Sequence, residues 1–273
     1  MNSHIKDKNG LTEEEFLKSY NPKDYDRPSV TSDILIFTMS PKLDRLKLLL
    51  IKRGGHPYIN CWALPGGFVN NDESTFTAAN RELKEETGLE DIYLEQLYTY
   101  SQPQRDPRTR VISVAYMALV PANKIVIAGA DDSDAEWFDI QIKDNNLIIS
   151  SDEKNVIIQY QLNNTEFQCG HITYENQVPQ LISDEKLAFD HQLIIFDGLM
   201  RLRNKIEYSN IAFNLVEEKF TLPDLQKVYE TILGKALFKT NFRDKLQEKI
   251  IKTNEKGVSI TGKKSSILYK FRK

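Results

Sequence analysis

The chain has 273 residues, 40% hydrophobic and 27% charged, which gives room for one large or two modest domains of an ordinary folded protein. No run reaches the roughly 18 uncharged apolar residues of a membrane span, and the first thirty residues, with Asp7, Glu13, Glu14, Glu15 and Asp24, do not read as a signal peptide. Two cysteines, Cys61 and Cys169, and four histidines exclude a disulfide framework and offer no zinc spacing, so a cytoplasmic setting is expected. The net charge of -3 hides a split: residues 1–200 carry 19 Lys+Arg against 31 Asp+Glu, or -12, and residues 201–273 carry 17 against 8, or +9. Residues 235–273 alone hold 12 against 3. An acidic body with a basic terminal segment points to two functions in one chain.

Residues 12–20 predict a short helix with a capping box from Thr12 to Glu15, stopped by Asn21-Pro22. Residues 30–37 and 46–51 are β-branched and aliphatic runs that predict two paired strands. A loop leads to Trp62-Ala63-Leu64-Pro65-Gly66-Gly67. Residues 74–87 lack Gly and Pro, with Phe76, Ala79 and Leu83 at helical spacing and Gly88 as the stop. Strands are expected at 92–100, 111–120 and 136–140, which makes an α/β (α+β) unit with a mixed sheet packed by helices. Residues 141–184 hold short β-like runs at 147–149, 156–158 and 167–174 and read as a small β-rich insertion. One long amphipathic helix is expected over 186–206. Then Thr221-Leu222-Pro223-Asp224 opens a helix with Leu225, Val228, Tyr229 and Ile232 on its apolar face and Gly234 at its end. A second helix over 239–249 and two short strands over 250–271 complete a winged helix-turn-helix order. The division is an arm over 1–29, an α/β domain over 30–207 containing the 141–184 insertion, and a winged-helix domain over 208–273.

The chemistry concentrates in residues 67–89. Glu82, Glu85 and Glu86 stand at i, i+3 and i+4, so they share one side of a helix and repel one another. A cation reverses that repulsion. Magnesium takes few carboxylates and keeps waters or phosphates in its shell, so this face suits Mg²⁺ with a phosphate substrate. Arg81 can reach Glu85 and, backwards, Glu73. A glutamate-rich helix face alone is ordinarily just solvated. The full spacing is more specific: Gly67, five residues, Glu73, seven residues, Arg81-Glu82-Leu83, one residue, Glu85-Glu86, one residue, Gly88-Leu89. Seven polar or glycine positions, each matched by chance at roughly one in fifteen, make it an event of about one in 10⁸ per start.

This segment resembles the Nudix box with every defining position filled. The resemblance implies an α/β/α sandwich around a mixed sheet and hydrolysis of a nucleoside diphosphate linked to another group, with Mg²⁺ or Mn²⁺. By resemblance Glu82, Glu85 and Glu86 are metal ligands, Gly67 offers a carbonyl, Arg81 orients the glutamates and Glu73 supports the loop. Glu85 is expected to be the most sensitive. The segment 62–68, and Pro103 14 residues after Leu89, look like the ADP-ribose-type members. Arg53, Arg105, Arg108 and Arg110 are candidate pyrophosphate contacts, each weighed against a simple solvated loop arginine. Tyr98 and Tyr100 read as core or interface aromatics rather than an adenine stack. His191 reads as a packing contact, and so does Cys61.

Residues 187–191, 205–213, 220–230 and 241–243 look like the Nudix-related transcriptional regulators, which join a Nudix domain to a winged helix and release DNA on binding ADP-ribose or a related sugar phosphate. That resemblance covers about 12–140 and 185–273. It implies duplex DNA as a partner and a homodimer, in keeping with twofold operators. Asn241, Arg243 and Lys245 would lie on the recognition helix, with Lys263 and Lys264 on the wing. The complete box makes hydrolysis the primary expectation, and a DNA-binding ADP-ribose sensor the alternative. A dimerisation module would not need such concentrated positive charge.

Overall fold

The computed structural model describes residues 5–124, 135–262 and 265–272. The chain opens with α1 (Glu13–Ser19), where Thr12 and Glu15 make the expected reciprocal capping box. A 3₁₀ turn at Pro22–Asp24 ends the arm. Then come β1 (Ser29–Met39), β2 (Leu46–Lys52), β3 (Trp62–Ala63), β4 (Gly66–Phe68), α2 (Thr75–Thr87), β5 (Tyr93–Tyr100), β6 (Val111–Leu119) and β7 (Ala135–Lys143). They are followed by β8 (Asn146–Ser151), β9 (Val156–Cys169), β10 (Ile172–Leu181) and α3 (His191–Tyr208). A 3₁₀ segment, Ile211–Leu215, leads to α4 (Leu222–Leu233), α5 (Lys239–Leu246), β11 (Ile250–Val258) and β12 (Ser265–Phe271).

One mixed sheet runs in the order β10-β9-β8-β7-β2-β1-β6-β5, with β3 beside β2 and β4 beside β1. The β1–β6 pair is parallel and the other pairings are antiparallel. β1 lies inside the sheet and is covered on both faces, which is why its stretch Ile34–Phe37 is continuously apolar. Ile34 and Ile36 pack with Leu49, Ala79 and Leu83 under α2. Leu35 and Phe37 face the other way, in the cluster with Ile194, Leu199 and Leu202 of α3. Each such burial stabilises the fold by about 1.5–3 kcal/mol. The result is the expected α/β/α sandwich. α3 approaches β1 so closely that a Cβ at Gly198 would come within 2.3 Å of the Leu35 side chain, which would have to shift.

Several expectations change. Phe76 is 52% exposed, because the face of α2 that meets the sheet is Ala78, Ala79 and Leu83, and Phe76 sits beside it against Tyr116. Residues 141–184 extend the main sheet: β7 continues to Lys143, and β8, β9 and β10 follow as a meander. The run read over 167–174 contains the β9–β10 turn, with Gly170 in the left-handed region. The long helix starts at His191 rather than at 186. Backbone groups of 187 and 188 are already taken: Leu187 N–H donates to the Tyr160 hydroxyl and Ala188 N–H to the Trp62 carbonyl.

In the C-terminal part, Thr221 caps α4, Pro223 sits in its first turn, and Leu225, Val228, Tyr229 and Ile232 are buried as expected. α5 ends at Leu246, short of 249, where a turn delivers the chain to β11. The β11–β12 ribbon is tied to α4 through Asp224, which accepts from Thr221 Oγ1 (2.7 Å), Ser259 Oγ (2.7 Å) and Thr261 N–H (3.2 Å). The sheet and α4 meet directly. Leu43, in the β1–β2 turn, is buried in the shared core, and its carbonyl accepts from Thr231 Oγ1 at 2.7 Å. Arg203 of α3 donates through Nε to the Ile232 carbonyl at 3.0 Å. Among the described residues no helix is long and apolar enough to cross a membrane.

Candidate functional site

α2 begins with Ser74, whose hydroxyl accepts from Thr77 N–H, and closes at Gly88. Arg81 stands at the centre of its acidic face. Its Nη1 donates to Glu82 (2.6 Å) and Glu85 (3.3 Å), and its Nη2 donates to Glu73 (2.9 Å) and the Phe68 carbonyl (3.3 Å). The guanidinium therefore bridges the loop before α2 to the helix, as the sequence reading expects. Hydrogen bonding from Arg81 holds Glu73 below the usual carboxylate range, and Glu73 and Glu82 in turn raise Arg81.

The three box glutamates are not equivalent. Glu85 is 57% exposed, whereas Glu82 and Glu86 are half-buried. Burial raises the Glu82 carboxyl, partly offset by Arg81. Burial, then the charges of Glu82 and Glu85, raise Glu86. Glu86 Oε2 is buried with no hydrogen-bond partner, and a Glu82 carboxylate oxygen fills the space a Cβ at Gly67 would need. Among the described residues no group of three His, Cys, Asp or Glu side chains stands close enough to form a ready metal cage. The two half-buried carboxylates still fit Mg²⁺, which needs only one or two such ligands and completes its shell with water or phosphate.

Beside this face, the ends of β1, β2 and β6, β4 with the loop before it, and the start of α3 frame a cleft of about 150 Å³. Thr31, Asp33, Arg53, Gly67, Arg105, Arg108, Phe189 and His191 are among its lining. Arg105 is buried and bidentate on Asp190 (2.7 and 3.0 Å), with Asp33 at 3.5 Å. It is thus neither a solvated loop residue nor free for a ligand. Asp33 also accepts from the Ser113 hydroxyl. His191 Nδ1 accepts from Leu64 N–H at 2.9 Å, which assigns its proton to Nε2, 3.9 Å from Asp33. Burial depresses its pKa against the pull of Asp33 and Asp190.

Arg108 is bidentate on Asp106 (2.7 and 3.0 Å). Arg53 donates to the Pro57 carbonyl at 2.9 Å and is lowered by burial and by the neighbouring Arg108. Both guanidiniums lie over the Phe189 ring, at 4.9 Å for Arg53 and 5.8 Å for Arg108. Phe189 has φ +52°, a left-handed conformation that costs a bulky L-residue roughly 1–2 kcal/mol. Two cation–π contacts of about 0.5–1 kcal/mol each oppose that strain, so the two nearly balance.

The structure thus brings Arg53, Arg105, Arg108 and Gly67 together and leaves Arg110 out, since Arg110 turns to the Gln102 carbonyl at 3.3 Å. Tyr100 is buried and donates to Asp197 at 2.7 Å, while Tyr98 is 63% exposed, and neither reaches the cleft. Sequence reasoning missed Asp33, Phe189 and Asp190. Asp33 carried a signal, a lone charge inside an apolar strand run.

On the basic segment, Phe242 and Leu246 bury one side of α5, with the Phe242 ring 5.1 Å from Tyr229. Asn241 and Arg243 stay exposed. Lys245 is exposed too, but its amine donates back to the Glu207 carbonyl, which draws it toward α3 instead of leaving it free. Lys263 and Lys264 lie outside the described residues.

Residues 31–153 match the family model of the NUDIX domain, and residues 212–271 that of the NrtR DNA-binding winged helix domain. Over 265 residues the chain is 31% identical to the ADPR responsive transcriptional repressor NtrR of Acinetobacter baylyi, covering 96% of this chain and 90% of that protein. The chain belongs to this family of Nudix-domain regulators. The crystal structure of Shewanella oneidensis NrtR complexed with a 27mer DNA is similar at 30% identity and a TM-score of 0.66, over 89% of this chain and 93% of that one. The Nudix part alone is 44% identical over 115 residues to the ADP-ribose pyrophosphatase of Methanocaldococcus jannaschii, covering 42% of this chain and 65% of that protein.

Proposed function

We propose that this protein is a DNA-binding transcriptional regulator whose Nudix domain senses ADP-ribose or a closely related nucleoside diphosphate. The observation that carries the reading is the likeness to a repressor described as ADPR responsive, which runs through both the Nudix and winged-helix parts. In this reading residues 30–207 sense and residues 208–273 bind duplex DNA. The protein acts in the cytoplasm as a homodimer on twofold operators. Arg53 and Arg108 meet the phosphates. Asn241 and Arg243 face base edges, and Lys263 and Lys264 meet the DNA backbone. A mobility-shift assay on the upstream region of the protein's own gene, at about 0.15 M salt with and without ADP-ribose, tests it. Binding no tighter than to random duplex would reject it.

Hydrolysis, the primary expectation from the sequence, is the second reading. The complete box and the unpartnered Glu86 Oε2 beside Glu82 support it. Glu82 and Glu86 would hold Mg²⁺ or Mn²⁺, with Gly67 close by and Arg81 fixing Glu82 and Glu85. The bound metal supplies charge neutralisation at the phosphates. ADP-ribose incubated with Mg²⁺ should then give AMP and ribose 5-phosphate. Intact ADP-ribose after prolonged incubation would leave sensing alone.

A further inference from the structure

The cleft as it stands is small for the ligand its arginines suit. Its volume is about 150 Å³, whereas sites for drug-sized ligands run from about 300 to 1,000 Å³. One side chain of its lining stands out. The Phe189 ring lies against both Arg53 and Arg108, at 4.9 and 5.8 Å, with the rings of Tyr58 at 4.8 Å and His191 at 5.4 Å. Arg53 has no carboxylate within ion-pair distance among the described residues, and it shares that ring with a second cation. A phosphate is a better partner than an aromatic face for Arg53, and Arg108, though bidentate on Asp106, is partly exposed beside it. Phe189 is also held in a left-handed backbone conformation, a strain that a local rearrangement of the backbone carrying the ring would relieve.

We propose that Phe189 is a displaceable plug, its ring occupying the space against Arg53 and Arg108 that the phosphates of a nucleoside diphosphate require. The inference rests on the reading of this cleft as a nucleoside diphosphate site. Ligand binding expels the ring and lets residue 189 relax to an ordinary backbone conformation. The apparent affinity of the wild type is lowered by the fraction of molecules in which the ring is in place.

Calorimetric titration of the full-length protein with ADP-ribose tests this. Phe189→Gly and Phe189→Asn both tolerate a left-handed backbone and remove the ring. Each is expected to bind ADP-ribose about tenfold more tightly than wild type. Equal or weaker binding by folded variants, with wild type binding, would overturn the plug alone and leave the ring a bystander or a ligand contact. If neither wild type nor variants bind ADP-ribose, the sensing reading itself falls, and the plug with it. A second measurement avoids dependence on the variants' folding. In wild type labelled with fluorophenylalanine, the Phe189 fluorine signal should move to a solvent-exposed position on saturation with ADP-ribose. An unmoved signal would overturn the proposal.

Discussion

Glu86 carries a buried carboxylate oxygen with no partner, and neighbours of like charge at Glu82 and Glu85. An unsatisfied buried acceptor costs about 1–3 kcal/mol. Burial raises the pKa of Glu82 and Glu86 in the folded state. Their contribution to stability is therefore complete below the ordinary carboxylate range and is lost as pH rises through the folded-state values. At pH 7.5 in chelator, Glu86→Gln should melt higher than wild type, by about 2–4 °C for each kcal/mol relieved. Mg²⁺ should raise the melting temperature of wild type and not of the variant. The same Mg²⁺ response in both proteins would remove Glu86 from the metal site. His191 works in the opposite sense. Burial lowers its pKa, so the neutral ring that accepts from Leu64 N–H stabilises the fold above about pH 6.5, and this is lost as pH falls through the folded value. Melting of wild type between pH 6.5 and 5 should fall more steeply than melting of His191→Asn. Parallel curves would mean that His191 does not titrate with unfolding.

Among the elements, those with local punctuation were legible. Thr12, Ser74 and Thr221 cap helices where the sequence placed their starts, and Gly88 and Gly234 end them. The box could be read because its residues sit within 23 positions of one another. The cleft could not, because Asp33, Arg105 and Asp190 come from β1, a loop and the start of α3, and only the fold brings them within ion-pair reach. The start of α3 was misread because Leu187 and Ala188 have helical apolar spacing, while their N–H groups are claimed by Tyr160 and Trp62. Asp224 was legible as a first-turn acid of α4 but not as the tie to the wing, which depends on Ser259 and Thr261 thirty-five or more residues away. Asp224→Ala leaves those donors without their acceptor, at a cost of about 1–3 kcal/mol. It should weaken DNA binding and leave ADP-ribose affinity unchanged, as measured by mobility shift and calorimetry. Loss of both would show instead that the variant unfolds the whole chain.

At the scale of the molecule, the positive charge lies in the last 39 residues, where the proposed reading puts the DNA contacts, and α3 reaches from the cleft toward them. Its first residues line the cleft, and its eighteen residues span about 27 Å. Near its far end Arg203 holds the Ile232 carbonyl of α4, and Thr231 on the same helix holds the Leu43 carbonyl of the β1–β2 turn. β1 carries Asp33 into the cleft, and Arg53 follows directly on β2. α3 and the β1–β2 pair thus run from the cleft to α4, and each meets it in one of these hydrogen bonds. Allosteric coupling in proteins ordinarily amounts to a 5–150-fold change in affinity, and it needs contacts that differ between two states. Arg203→Ala combined with Thr231→Val removes both bonds without touching the cleft or the basic face of α5. The double variant should bind operator DNA and ADP-ribose separately with affinities close to wild type, while the effect of ADP-ribose on DNA affinity shrinks toward none. Arg243→Ala is the control at the other end. It should weaken operator binding by about 1–3 kcal/mol and leave the ratio of affinities with and without ADP-ribose intact. A double variant that keeps the full ligand response would show that coupling passes through other contacts of the shared core.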